Sequence, residues 1–281
     1  MKLEIFRTLW GYTASKAQAL EELLEAGFDG MEARLPMTAS ERAEFAAFLR
    51  ANHVSYISTV FSAYDVLPEQ SASVDEHLLD LDKKLAWAAE LSPRFVNLLA
   101  GNDRWPLAQQ VDFFGRAMDV ARKHGQVCAF ETHRARSLFN PWVTLELIRQ
   151  LPDLRFTSDI SHWVVTCERL LNDPQDDLSA FVERVHHIQA RVGYDQGPQV
   201  PHPAAPEYTQ ALAFHQQHAR QLDAGQRLGV VGLGQVLDVV QAPAEKAVAP
   251  IRMAAGEGQA RQAHVLIGTP VRPTALEESG G

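Results

Sequence analysis

Eight short runs of β-type composition alternate with longer helical patterns along this chain, and that alternation constrains the fold more than any other feature. The runs are Leu3–Arg7, Gly30–Ala33, Val54–Val60, Phe95–Leu99, Val127–Glu131, Leu154–Asp159, His186–Val192 and Leu228–Leu233. Between them, Ser15 with Gln18, Thr38 with Glu41 and Ser73 with Glu76 have capping-box spacing, which satisfies the orphaned N–H groups of a helix start. Asn140 before Pro141 is an N-cap with proline at the first helical position, and Gly27 and Gly125 stand where a left-handed C-terminal residue is wanted. Eight strands with intervening helices imply an α/β closed (β/α)8 barrel rather than an open doubly wound sheet. No Gly-x-Gly-x-x-Gly turn follows the first strand, and the glycines of Gly229-Val-Val-Gly-Leu-Gly come too late to cradle a dinucleotide. At 281 residues and 46% hydrophobic, the chain can bury one such core.

Charge and patterning exclude several classes. A formal charge of −9 opposes binding to a phosphate backbone, so no nucleic-acid partner is expected. No basic and then apolar leader opens the sequence, and no apolar run approaches the roughly 18 residues of a membrane span. The expectation is a soluble, cytoplasmic protein with no membrane partner. Cys128 and Cys167 have neither disulfide-framework nor zinc-knuckle spacing and read as core residues. Every Phe, Tyr and Trp lies at or before Phe214. Residues 1–227 therefore read as the barrel, and 228–281 as an atypical C-terminal segment that is partly disordered or completes the eighth unit.

Active sites of such barrels form at the C-terminal ends of the strands, so polar residues that close an apolar run are the ones to collect. Phe130-Glu131-Thr132-His133-Arg134 ends the fifth strand, Ser158-Asp159-Ile160-Ser161-His162-Trp163 the sixth, and His187, Gln189 and Arg191 share one face of the seventh. Glu131, Asp159 and Gln189 are 28 and 30 residues apart, one βα unit each, which brings three oxygen donors side by side. Such a set suits Mg²⁺ or Mn²⁺, while His187 or His162 nearby would admit Zn²⁺ or Co²⁺. Glu32 would be delivered into the mouth by the second strand, Arg134 could hold a carboxylate or phosphate through its planar fork, and Trp10, Phe61 and Trp163 could form an apolar wall.

These segments resemble the xylose isomerase-like TIM barrels, the sugar phosphate isomerases and epimerases, over about residues 1–214. The carriers are Gly27-Phe-Asp-Gly-Met-Glu32, Glu131-Thr-His-Arg134, Asp159-Ile-Ser-His-Trp163 and His187-Ile-Gln-Ala-Arg191. The resemblance implies a divalent metal on Glu131, Asp159 and Gln189, His162 beside it touching substrate, a small carbohydrate substrate, and pairing into a homodimer. It also implies a fourth ligand, a Glu closing the eighth strand, and none lies near the end of Leu228–Leu233.

The chemistry expected is proton abstraction next to a carbonyl through a metal-stabilised enediolate. Glu131 and His162 would be catalytic, and Glu32, His133, Arg134, His187 and Arg191 would bind substrate. The missing carboxylate favours a rival reading, a non-catalytic sugar-binding barrel or an inactive relic. A third, phosphodiester cleavage as in apurinic/apyrimidinic endonucleases, calls for many more histidines and a basic surface than this acidic chain has.

Overall fold

The computed structural model describes residues 4–225 and 263–266. Seven strands run parallel in chain order: β1 Glu4–Thr8, β2 Gly30–Arg34, β3 Ser55–Phe61, β4 Phe95–Leu99, β5 Cys128–Glu131, β6 Phe156–Ser158 and β7 Val185–Ala190. An eighth strand, β8 Ala263–Leu266, pairs with both β1 and β7 and closes the barrel, but runs antiparallel to each. The segment 228–233, expected in that place, lies outside the described residues, as does most of 228–281. Among the described residues no helix is long and apolar enough to cross a membrane.

The helices are α1 Lys16–Glu25, α2 Ala39–Ala51, α3 Val74–Ala89, α4 Leu107–Lys123, α5 Pro141–Gln150, α6 Ile160–Cys167, α7 Ser179–Val182 and α8 Thr209–Gly225. Thr38 and Ser73 form reciprocal capping boxes, and Asn140 accepts from the Val143 N–H. At Ser15 only half the box forms: its hydroxyl accepts from the Gln18 N–H, but the Gln18 side chain donates to Glu22 instead. Gly27 and Gly125 take the expected positive φ, +71° and +62°. The sixth strand is shorter than the apolar run suggested, because Asp159 leaves the sheet to start α6. The seventh ends at Ala190, where the Arg191 N–H turns back onto the Gln189 carbonyl at 2.8 Å.

Two layers fill the barrel. Phe6, Ile57, Phe95 and Ala129 form an apolar cluster separate from the larger core between sheet and helices. Gly30 belongs beside them, since a Cβ there would meet the Phe6 ring at 2.5 Å and the Ser55 carbonyl at 2.4 Å. His187, fully buried, joins the same level, its ring 5.2 Å from that of Phe95. Strand side chains repeat every second residue on one face. The next inward positions are therefore Thr8, Glu32, Thr59, Asn97, Glu131 and Gln189: a polar layer resting on an apolar one, at the strand ends that form the mouth.

Candidate functional site

A cavity of about 470 Å³ opens above that polar layer, lined by strand ends and the loops that follow them. Glu32, Glu131, Asp159, His162, Gln189 and Arg191 reach it from β2 and β5–β7, with His133 and Arg134 just beyond β5. From the other side come Trp10, Phe61, Val66, Leu67 and Leu99.

Glu32 is the hub of the floor. Its Oε1 accepts from Gln189 Nε2 at 2.9 Å, Thr59 Oγ1 at 3.0 Å and Asn97 Nδ2 at 3.3 Å, and its Oε2 lies 3.5 Å from His187 Nε2. Asn97 also donates to Glu131 Oε2 at 2.5 Å, so one amide ties the two carboxylates together across β2, β4 and β5. Sequence reasoning passed over Asn97 and Thr59. The signal was there in Asn97: a lone amide at the inward position of the apolar run Phe95-Val-Asn-Leu-Leu.

Glu131 is buried beside Asp159 and Glu32. Burial first, and then the charges of those two neighbours, push its carboxyl well above the usual range, while the Asn97 hydrogen bond opposes the rise. Asp159 is held from several sides: its N–H donates to Thr132 Oγ1 at 2.8 Å, the Ser161 hydroxyl donates to Oδ1, and Arg191 Nη2 lies 3.2 Å from Oδ2. The same Arg191 nitrogen donates to His162 Nε2 at 2.6 Å, which puts that buried ring's proton on Nδ1, and Nδ1 has no hydrogen-bond partner among the described residues.

Burial, with smaller contributions from His133, Arg191 and Arg134, holds His162 well below its ordinary pKa. Burial brings His133 down to about 3, against the opposing bond of its Nδ1 to the Arg134 carbonyl. Both rings are therefore neutral at pH 7 and can offer a lone pair. They lie 3.9 Å apart, centroid to centroid.

Glu131, His133 and His162 each have a ligand atom within 4.8 Å of the others', so this group could hold a metal ion. A carboxylate that burial and like-charged neighbours disfavour, and the lone pair that His133 keeps on Nε2, are what a divalent cation would satisfy, and His162 would join them through Nε2 in place of its bond to Arg191. The residues fit the ion that the family resemblance implied, by a donor set that adds His133 and His162 to Glu131. Asp159 and Gln189, expected as ligands from their spacing, line the same cavity, but Asp159 is engaged by Ser161 and Arg191, and Gln189 turns an amide N–H towards Glu32.

His187 stands beneath the floor, between Thr157 and Glu32, and does not line the cavity. Trp163, expected on the apolar wall, is instead fully buried in the outer core, its indole N–H on the Leu138 carbonyl at 2.9 Å and its ring 4.7 Å from Phe181. It sits one residue past His162 on α6, so the helix turns it away from the mouth. Cys128 and Cys167 are free, partly buried thiols, and burial pushes Cys128 up to about 12.

Residues 20–242 match the family described as xylose isomerase-like TIM barrel. The chain belongs to that family. No curated protein matches the sequence. Solved structures similar to this xylose isomerase-like barrel include the IOLI protein with a bound zinc atom, at 12% identity and TM-score 0.56 over 84% of this chain and 95% of that one. A xylose isomerase-like TIM barrel protein from Mycobacterium smegmatis, in complex with magnesium, aligns at 13% identity and TM-score 0.54 over 86% and 97%. The probable 3-DHS dehydratase AsbF of Bacillus anthracis aligns at 15% and 0.50 over 73% and 79%. At these identities the likeness is one of fold.

Proposed function

We propose that this xylose isomerase-like barrel is a divalent-metal-dependent isomerase or epimerase of a small carbohydrate or sugar phosphate, acting by proton abstraction next to a carbonyl. The observation that carries the reading is the convergence of Glu131, His133 and His162 within 4.8 Å at the floor of a cavity large enough for a small sugar. Glu131, His133 and His162 would hold the ion, with Asp159 and Gln189 placed to complete its shell. A set containing imidazole nitrogens suits Zn²⁺, Co²⁺ or Mn²⁺ better than Mg²⁺. Bound there, the ion supplies a Lewis acid for the carbonyl and hydroxyl oxygens of the substrate.

The chain's own groups do the rest. Glu131 is the base for the carbon-bound proton, its carboxylate held at one oxygen by Asn97 so that little reorientation is needed during transfer. His162 orients the substrate oxygen through its Nδ1–H, the nitrogen that Arg191 does not engage. Trp10, Phe61, Val66 and Leu67 give the opposite side of the cavity an apolar face for the substrate's carbon skeleton.

The test is interconversion of small ketoses and hydroxy-carbonyl acids with Mn²⁺, Co²⁺, Zn²⁺ or Mg²⁺, together with metal analysis of the purified chain. Glu131→Gln should retain the fold and lower kcat by roughly 10²-fold or more, the usual worth of a general base. Equal rates in wild type and variant would remove Glu131 from the chemistry, and absence of stoichiometric metal would favour a binding protein.

A further inference from the structure

Three guanidinium groups reach the cavity, and they differ in how far the protein already uses them. Arg34 is ion-paired with Asp65 and lies against the rings of Trp10 and Phe61, at 5.6 and 5.2 Å from their centroids. Arg191 is committed to Asp159 at 3.2 Å, to Ser161 Oγ at 3.3 Å and to His162. Arg134 is different. It is half-buried, it pairs with none of the described carboxylates, and its one hydrogen-bonded side-chain partner among the described residues is Gln199, whose Oε1 accepts from Nη1 at 3.0 Å.

A guanidinium has five N–H donors, and withdrawing it from water without an acceptor is costly. Removing Arg134 from bulk solvent at the edge of a cavity therefore makes sense when an acceptor arrives with the ligand. Its planar fork matches a carboxylate or a phosphate in two parallel bonds. Arg134 lines the same cavity as Glu131, His133 and His162, so one ligand in that space can meet both.

We propose that the cavity takes a substrate bearing an oxyanion, carboxylate or phosphate, whose charge is received by Arg134. The inference rests on the cavity being the active site described above, and narrows its substrate class from neutral or phosphorylated sugars to those bearing an oxyanion.

Titration calorimetry on the full chain with three probes of common skeleton, D-glycerate, glycerol 3-phosphate and glycerol, tests it. At least one anion should bind about 10-fold or more tightly than glycerol, and Arg134→Gln should cost that anion roughly 10- to 100-fold, as expected for a charge-assisted pair. Arg134→Lys, which keeps the charge but loses the fork, should fall between. Preference for D-glycerate marks a carboxylate and preference for glycerol 3-phosphate a phosphate. No anion binding, equal affinity for glycerol, or anion affinity unchanged in folded Arg134→Gln would overturn the proposal. The two readings fail differently. An anion binder dependent on Arg134 that turns over no substrate sinks the isomerase and leaves this inference standing. An isomerase whose Arg134→Gln variant keeps its KM for anionic substrates sinks this inference alone.

Discussion

The two walls of the cavity are built by the same strand geometry and do opposite things. On the β5–β7 side the strands end in carboxylates, imidazoles and guanidiniums that face the cavity and bond chiefly to one another. On the β1–β4 side the rim is largely apolar: Glu32 and Arg34 are engaged by neighbouring side chains, and two buried cations behind the rim hold backbone. Arg136 is fully buried and donates to the carbonyls of Ser62, Asp65 and Val66, while Lys84, from α3, donates to those of Phe61 and Tyr64 and pairs with Asp80. These two cations fix the loop that carries Val66 and Leu67 to the rim. Arg134 and Arg136, two residues apart, make the contrast sharpest: one is saturated by main-chain oxygens, the other has donors to spare. A buried cation satisfied by carbonyls is architecture, and a half-buried one without them is an invitation to a ligand.

The largest effect that would break this comparison is loss of the Arg136 latch. Arg136→Ala strands the buried Ser62 carbonyl, frees those of Asp65 and Val66 and leaves a cavity, so it should lower stability by about 3 kcal/mol in urea unfolding and raise KM as the loop loosens. A variant as stable as wild type would mean that the loop is held by other contacts.

Comparable in size, but graded with pH, is the response to acid at His77, fully buried behind the apolar wall with Nδ1 2.9 Å from Ser62 Oγ. Burial, then the charge of Arg136, brings His77 down to about 4, with Asp80 and Glu76 opposing and Lys84 adding. Between about pH 6.5 and 4 the unfolded chain binds a proton that the folded chain refuses, so stability is intact above 6.5 and falls as pH drops towards 4. The slope from His77 is at most about 1.4 kcal/mol per pH unit. His215 and His218, brought by burial to about 4 and about 3, act in the same direction. Urea midpoints measured across that window check the sign, and a flat profile would refute it.

Smallest is Trp10→Ala. The ring is 43% exposed and touches Phe61 at 6.1 Å between centroids. Stability should change by less than about 1 kcal/mol, and KM should rise a few-fold with kcat nearly constant. A fall in kcat as large as that of Glu131→Gln would place the chemistry on the apolar wall instead.

Much of the barrel was legible beforehand. The apolar runs, the Thr38 and Ser73 capping boxes and the Asn140-Pro141 start are local signals whose physics acts within a few residues, and seven strands fall where those signals put them. The strand ends also put Glu131, Asp159, His162 and Arg191 at the mouth, and all four line the cavity there. Orientation was harder to read. His187 lies on the inward face as alternation implied, but one layer below the residues that line the cavity. Trp163 shares a segment with His162 yet turns into the core, since a helix rotates neighbours apart by about 100°.

What the sequence determined by itself is the alternation of elements, their caps, and the roster of polar groups delivered to one end of a barrel. Tertiary structure decided which of those groups meet. Asn97 bridging Glu32 to Glu131, the pairing of His133 with His162, and the antiparallel β8 between β1 and β7 each join residues far apart in the chain. Such contacts depend on the closure and stagger of the sheet as a whole, and no local pattern encodes the distance between two side chains on different strands.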